Sequence, residues 1–221
     1  MVAPIEVHYW PTSNGHKITI ALEEMGLPYE VHPVNINRGQ QFAPAFLAIS
    51  PNNRIPAIVD PEGPDGKPIS IFESGAILQY LGRKTGQFYP ADERGRVAVD
   101  EWLFWQVGGL GPMAGQANTF RNKAPAKLID QRQLAYGAIR YTDEVFRLWG
   151  VLERRLEGRD YLCGDYSLAD MASWPWTRDY KRLGLDLAQF PNVAAWRERM
   201  ESRPAVKAAL AKGDAVRAAN R

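Results

Sequence analysis

Cysteine is almost absent from this chain: Cys163 stands alone among 221 residues. One thiol excludes an intrachain disulfide framework and any Cys-x-x-Cys redox or zinc pair, and it suits a reducing compartment. Histidine is equally sparse, and His8, His16 and His32 share no metal-ligand spacing, so no metal is expected. No apolar run approaches the roughly 20 residues of a membrane span. The opening Met1-Val2-Ala3-Pro4-Ile5-Glu6 lacks the basic start and apolar core of a signal peptide. Charge of one sign is missing too: 27 Lys and Arg against 25 Asp and Glu leave +2, no field for nucleic acid or anionic lipid. No G-x-S-x-G element offers an esterase nucleophile, and no internal repeat or low-complexity segment appears. These absences predict a cytoplasmic protein with no membrane or nucleic-acid partner.

What is present is an ordinary globular composition, 45% hydrophobic and 24% charged, at a length sufficient for two modest domains. Tyr9-Trp10-Pro11-Thr12-Ser13-Asn14-Gly15-His16-Lys17 joins an alternating apolar run, Ile5 to Trp10, to a helix with its buried stripe at Ile18, Ala21, Leu22 and Met25. Thr12, Ser13 and Asn14 thus enter a first helical turn, where backbone N–H groups lack intrahelical partners and the dipole is positive. Two roles are open to them: capping the helix, or stabilising an anion such as a thiolate. Gly26 stops that helix, and Tyr29 to Val34 reads as a second strand. A short helix follows, in which Pro44 is permitted only in the first turn. Ala57 to Val59 and Ile69 to Phe72 are strands joined by a turn rich in proline and glycine. Ser74 can cap a helix with its inner face at Ile77, Leu78 and Leu81, closing at Gly86. The order β-α-β-α-β-β-α implies a mixed sheet, because the last two strands are joined by a turn.

From Gln87 the pattern changes. Residues 87–92 read as a linker, and no convincing strand follows. The fold expected is therefore α/β plus all-α, with domains at 1–86 and 93–221. Leu134, Ala138, Tyr141, Val145, Leu148, Leu152 and Leu156 recur at steps of three or four, which predicts a helix buried on one face along its length. Ser167-Leu168-Ala169-Asp170 has the spacing of a capping box. Gly109 to Ala114 matches the G-x-G-x-x-A dinucleotide pattern by letter but follows a helical run, Trp102 to Trp105, so its glycines bend or closely pack a helix. Cys163 is open to two readings, a small packing volume or a reactive thiol. Lys207, Lys212, Arg217 and Arg221 read as a solvated face or a frayed end.

Several separated stretches agree on a resemblance. The element order, the Ile55-Pro56 step before a strand and Glu73-Ser74 opening a helix resemble a thioredoxin-like glutathione-binding domain with a four-stranded mixed sheet. The helical part, with Ser167-Leu168-Ala169-Asp170, is similar to the C-terminal domain of cytosolic glutathione transferases. Among these, the bacterial nu class is most similar, in Asn14 to Thr19, Ser50 to Asp60, Phe72 to Leu78 and Trp102 to Met113. The resemblance covers nearly the whole chain.

It implies glutathione as co-substrate and a role for each matched residue. Pro56 would be cis, turning the Ile55 backbone outward to pair with the ligand like an added strand. Glu73 and Ser74 would hold the γ-glutamyl amine and carboxylate, a role compatible with helix capping. Gln41 and Arg54 are candidates for the glycine carboxylate, with surface solvation the other reading of Arg54. Arg140 resembles a family arginine that reaches the active site, with a salt bridge inside the helical domain as its alternative. Thr12 and Asn14 would face the sulfur and stabilise a thiolate without taking its proton. Ser13 stands where the nu pattern usually has proline and adds a possible third hydroxyl. Gln40 stands where glycine is common. With no Cys-x-x-Cys, the reacting sulfurs of a disulfide reductase would have to come from bound glutathione. The alternatives are glutathione chemistry on an electrophile (conjugation, peroxide reduction or ether cleavage) and a non-catalytic glutathione-binding regulator. A symmetric homodimer and a small-molecule disulfide or electrophile complete the expected partners.

Overall fold

The computed structural model describes residues 3–123 and 130–220. The chain divides into two compact units, Met1–Ala91 with Glu201–Arg221, and Asp92–Met200. The first contains β1 (Ile5–Tyr9), α1 (Ser13–Met25), β2 (Tyr29–Pro33), α2 (Pro44–Leu47), β3 (Ala57–Asp60), β4 (Ile69–Phe72) and α3 (Ser74–Thr85). Its strands form one sheet in the order β2-β1-β3-β4. β2 runs parallel to β1, whereas β3 and β4 are antiparallel to their neighbours, so the sheet is mixed as the connection lengths imply. Pro44 occupies the first turn of α2, where its missing N–H costs nothing. Gly26 and Gly86 take left-handed conformations at the ends of α1 and α3. Register pairs His8 with His32, and their rings stack at 5.2 Å. Burial and the neighbouring His32 hold His8 below the usual imidazole range. Among the described residues no group of three or more side chains is arranged to hold a metal ion.

The second unit is helical: α4 (Glu93–Trp105), α5 (Gly111–Asn118), α6 (Gln131–Leu156), α7 (Leu168–Ser173) and most of α8 (Pro191–Ser202). Gly109 and its neighbours form a π-helical turn, Gln106–Leu110, between α4 and α5, with no strand before it. At α6 the sequence expectation needs correcting. Val145, Leu148, Leu152 and Leu156 are buried, but Leu134, Ala138 and Tyr141 are only half-buried. The periodic stripe is continuous; the packing beneath it is not.

The capping box is complete. Ser167 Oγ accepts from Ala169 N at 3.3 Å, and Asp170 Oδ2 accepts from Ser167 N at 3.0 Å. The fully buried Asp170 also accepts on Oδ1 from Leu162 N and Trp196 Nε1, both at 2.9 Å. One carboxylate therefore fastens the loop before α7, the start of α7 and the indole of α8.

α9 (Pro204–Ala219) differs from its expected place in the helical part, because it packs against α1 in the first unit. A Cβ at Gly213 would come within 2.6 Å of His16 Cε1 and 2.7 Å of Tyr9 Oη, so only glycine allows this approach. Arg203 pairs with Glu24 at 2.6 Å, and Arg217 Nη2 donates to the Pro11 carbonyl at 2.9 Å. Lys212 lies over the Tyr29 ring at 4.4 Å. The basic face of α9 is thus partly engaged, not simply solvated; Arg221 lies outside the described residues. Among the described residues no helix is long and apolar enough to cross a membrane.

Asp170 supplies the first test. Asp170→Ala leaves three buried N–H donors without their acceptor, at about 1–3 kcal/mol each, partly offset by the desolvation cost of the lost carboxylate. The expected net loss is roughly 3 kcal/mol in urea unfolding. A loss below about 0.5 kcal/mol, the range of ordinary surface substitutions, would contradict this role.

Candidate functional site

Helix α1 sets the geometry. Every residue from Gly15 to Leu22 is buried, a run that a helix resting on one surface cannot achieve. α3 and α9 both pack against it. Its buried polar residues have partners: Thr19 Oγ1 donates to the His16 carbonyl at 3.3 Å, and His16 Nδ1 lies 3.2 Å from Tyr9 Oη. Gly15 is required by space, since a Cβ there would strike the Trp10 carbonyl and stand 2.8 Å from the Tyr9 ring.

Thr12 is the N-cap of α1, its Oγ1 accepting from Gly15 N at 3.3 Å. That bond uses an acceptor lone pair and leaves the hydroxyl hydrogen to donate elsewhere. Ser13 and Asn14 are the first two residues of α1, both half-buried. Capping and anion stabilisation, the two readings of this stretch, are therefore compatible in Thr12.

The Ile55–Pro56 peptide bond is cis. Before it, Ser50 Oγ donates to the Arg54 carbonyl at 2.8 Å and fastens the loop. The β3 ladder begins at Ala57, so the half-buried Ile55 stands just outside it. Peptide placed beside a strand in this way can pair with an extended ligand. Gln41 lies in a 3-10 turn, Gln40–Phe42, and its buried Oε1 has no hydrogen-bond partner in the structure. Gln40 has a structural task, its Oε1 accepting from Asn35 N at 2.7 Å. Arg54 is exposed.

At the start of α3 the capping expectation is corrected. Glu73, not Ser74, is the N-cap, with no side-chain cap bond. Its φ of 69° lies where non-glycine residues are strained, at about 1–3 kcal/mol. Ser74 is the first helical residue, buried, and its Oγ accepts from Lys17 Nζ at 3.2 Å. This contact joins the starts of α1 and α3. Lys17 is 1% exposed. Burial pushes its amine down to about 7, against the opposing pull of the Glu73 carboxylate.

Lys17 was not among the residues singled out from the sequence. Its signal was present: it stands four positions before Ala21 and therefore on the apolar side of the helix. The structure thus joins Lys17, Glu73 and Ser74, and gathers Thr12, Ser13 and Asn14 on one turn. No hydrogen bond or ion pair ties Gln41 or Arg54 to either group among the described residues. Arg140 belongs to the second unit, exposed on α6, where with Arg132, Phe120, Tyr136 and Tyr141 it lines a cavity of about 610 Å³. The half-buried stretch of α6 contributes to the walls of this pocket.

Residues 13–84 match the family described as glutathione S-transferase, N-terminal domain, and residues 140–204 match glutathione S-transferase, C-terminal domain. The disulfide-bond oxidoreductase YfcG of Escherichia coli is 50% identical over 210 residues, 94% of this chain and 95% of that protein. The transcriptional regulator URE2 of Saccharomyces cerevisiae is 35% identical over 237 residues, 89% of this chain and 64% of its own length. A solved glutathione transferase of Burkholderia graminis, with two glutathione molecules bound per subunit, has a TM-score of 0.87 at 45% identity, covering 94% of this chain and 87% of its own. One from Pseudomonas putida, with one glutathione disulfide per subunit, has a TM-score of 0.86 at 41% identity, covering 94% and 90%.

The buried amine gives a pH test that needs no ligand. The folded chain holds the Lys17 proton less tightly than the unfolded chain, where lysine titrates near 10.4. Between about pH 7 and that value the unfolded state binds more protons, so stability rises with pH, by at most about 1.4 kcal/mol per pH unit. Urea unfolding at pH 7, 8 and 9 should show this rise in the native sequence and its loss in Lys17→Met. Parallel profiles for the two chains would contradict the assignment.

Proposed function

The chain belongs to the glutathione S-transferase family, and from that premise we propose that it is a glutathione-dependent disulfide reductase. The name of the half-identical Escherichia coli relative carries this reading, and the chain's one thiol bears on whose sulfurs react. Burial pushes Cys163 up to about 11, and its Sγ donates to the Ala98 carbonyl at 3.3 Å. At neutral pH this sulfur is a protonated thiol and a poor nucleophile. The reacting sulfurs then belong to glutathione. One glutathione thiolate attacks the substrate disulfide, forming a mixed disulfide and releasing a thiolate. A second glutathione thiolate attacks the glutathione sulfur of that intermediate, giving glutathione disulfide and the second substrate thiolate. The two protons lost by the glutathione thiols end on the two product thiols.

In this reading Thr12 and Asn14 donate hydrogen bonds to the attacking sulfur, and Ser13 adds a third hydroxyl to the same turn. Glu73 and Ser74 hold the γ-glutamyl group, the Ile55 backbone beside Pro56 pairs with the cysteinyl part, and Gln41 and Arg54 take the glycine end. Arg140 is assigned to glutathione binding as the arginine that reaches the active site. The name carried by the half-identical Escherichia coli relative supports the reaction, and the glutathione species in the neighbouring structures support the ligand. The regulator named among the relatives supports a second reading, a glutathione-fold protein that binds a partner without turnover. Transferase chemistry on an electrophile uses the same binding residues and remains the alternative within enzymes. The protein would work in the cytoplasm as a symmetric homodimer. α4 supports association by exposing Val97 and Phe104, seven residues apart, at 46% and 63%.

Thermal unfolding with reduced, oxidised and S-methylated glutathione tests the binding. A ligand at 100 times its dissociation constant raises stability by about 2.7 kcal/mol. Steady-state reduction of a small disulfide by glutathione tests the chemistry. Asn14→Ala should lower kcat far more than it weakens binding, by up to roughly 100-fold if the donor acts in the transition state. Thr12→Val should act in the same direction, and Cys163→Ser should retain nearly full activity. Binding without turnover would favour the regulator, and loss of activity in Cys163→Ser would overturn the ligand-thiol mechanism.

Association is tested separately. Phe104→Glu should give a monomer in sedimentation at micromolar concentration. A native chain that sediments as a monomer would remove the dimer.

A further inference from the structure

We propose that Lys17 is a positioning residue for the carboxylate held at the start of α3, turning the Ser74 hydroxyl outward and gaining a proton when that carboxylate binds. The proposal rests on the glutathione reading, which places a γ-glutamyl carboxylate at this helix start. It begins from donor and acceptor counts. An ammonium donates and cannot accept, so at the 3.2 Å Lys17–Ser74 contact the serine oxygen is the acceptor. The Ser74 hydrogen must then point away from Lys17, where an anion at the helix start can receive it. A neutral amine has a lone pair and can accept that hydrogen, turning it inward. The protonation of Lys17 therefore decides whether Ser74 is an outward donor.

Charge gives the same coupling. A fully buried ammonium is expensive unless compensated. An incoming carboxylate supplies a negative charge one hydroxyl away, and the helix N-terminus already favours it. From α3 the groups facing Lys17 are the Glu73 carboxylate and the Ser74 hydroxyl. On the α9 side of α1, Gly213 lies against Tyr9 and His16, whose Oη and Nδ1 are 3.2 Å apart. Burial leaves the Lys17 amine titrating near neutrality, so a bound carboxylate can change its state within the working pH range.

The test is calorimetric titration with S-methylglutathione, which has no thiol to titrate, between pH 6.5 and 8 in paired buffers of different ionisation enthalpy. The native sequence should take up protons on binding, approaching one per site at pH 8, and its affinity should fall roughly tenfold across the range. Lys17→Met should bind with no proton uptake and a flat profile, at the weaker affinity seen for the native sequence at high pH. A flat native profile without proton uptake would overturn the proposal, as would uptake that persists in Lys17→Met. A flat native profile overturns the proposal even if the variant does not fold, and Lys17→Arg, which keeps the charge but does not titrate near neutrality, then stands in for it by losing the proton uptake. Failure of the native sequence to bind at any pH would instead remove the glutathione reading, and this proposal with it.

Discussion

A lysine buried beneath a serine at a helix start is the interaction around which the first unit is arranged. Lys17 reaches Ser74 only because α1 lies against α3, with its residues from Gly15 to Leu22 out of solvent. That enclosure depends in turn on Gly15 beneath the Trp10 carbonyl and Gly213 against Tyr9 and His16, two positions where a Cβ has no room. Enclosure of this kind has a cost. Polar side chains that an amphipathic helix would leave in water must here find partners, and Thr19, His16 and Lys17 each have one.

Much of the fold was legible because it is encoded locally. Gly26 and Gly86 stop helices by taking left-handed conformations, Pro44 sits where a proline harms no helical bond, and Ser167 with Asp170 closes a capping box within four residues. Each of these signals depends on residues within one helical turn. The mixed sheet followed from the lengths of its connections. What escaped the sequence depends on partners far along the chain. The local sequence of α9 does not say that it packs against α1. The stripe of α6 is as regular before Tyr141 as after, yet only the later half has a full layer packed beneath it.

The site divides along the same line. Thr12, Ser13 and Asn14 could be placed at a helix start from their own neighbours, and the Ile55–Pro56 step could be picked out by resemblance. Lys17 was overlooked because a lysine is assigned to the surface by default. Its position on the apolar side of α1 was the contrary signal, and four-residue periodicity was enough to show it. The Lys17–Ser74 contact itself spans 57 positions and could not be read from spacing. His8 and His32 illustrate the same limit: 24 residues apart, they become neighbours only through parallel register.

The two helix starts suit different anions. At α1 the side chains are Thr12, Ser13 and Asn14, neutral hydrogen-bonding groups without a cation among them. Such donors can stabilise a thiolate moderately. Because thiolate nucleophilicity falls as its pKa falls, a cation that over-stabilised the sulfur would blunt its attack. A carboxylate that is only to be held has no such restriction, and at α3 the buried Lys17 amine, charged on our proposal once the carboxylate is bound, stands behind the serine. On the proposed reading, glutathione lies with its reacting atom toward the neutral side chains of Thr12, Ser13 and Asn14 and its inert carboxylate toward the serine backed by Lys17. Strong electrostatic binding is then applied to a part of the ligand that does not react, leaving the sulfur in an environment mild enough to preserve its nucleophilicity.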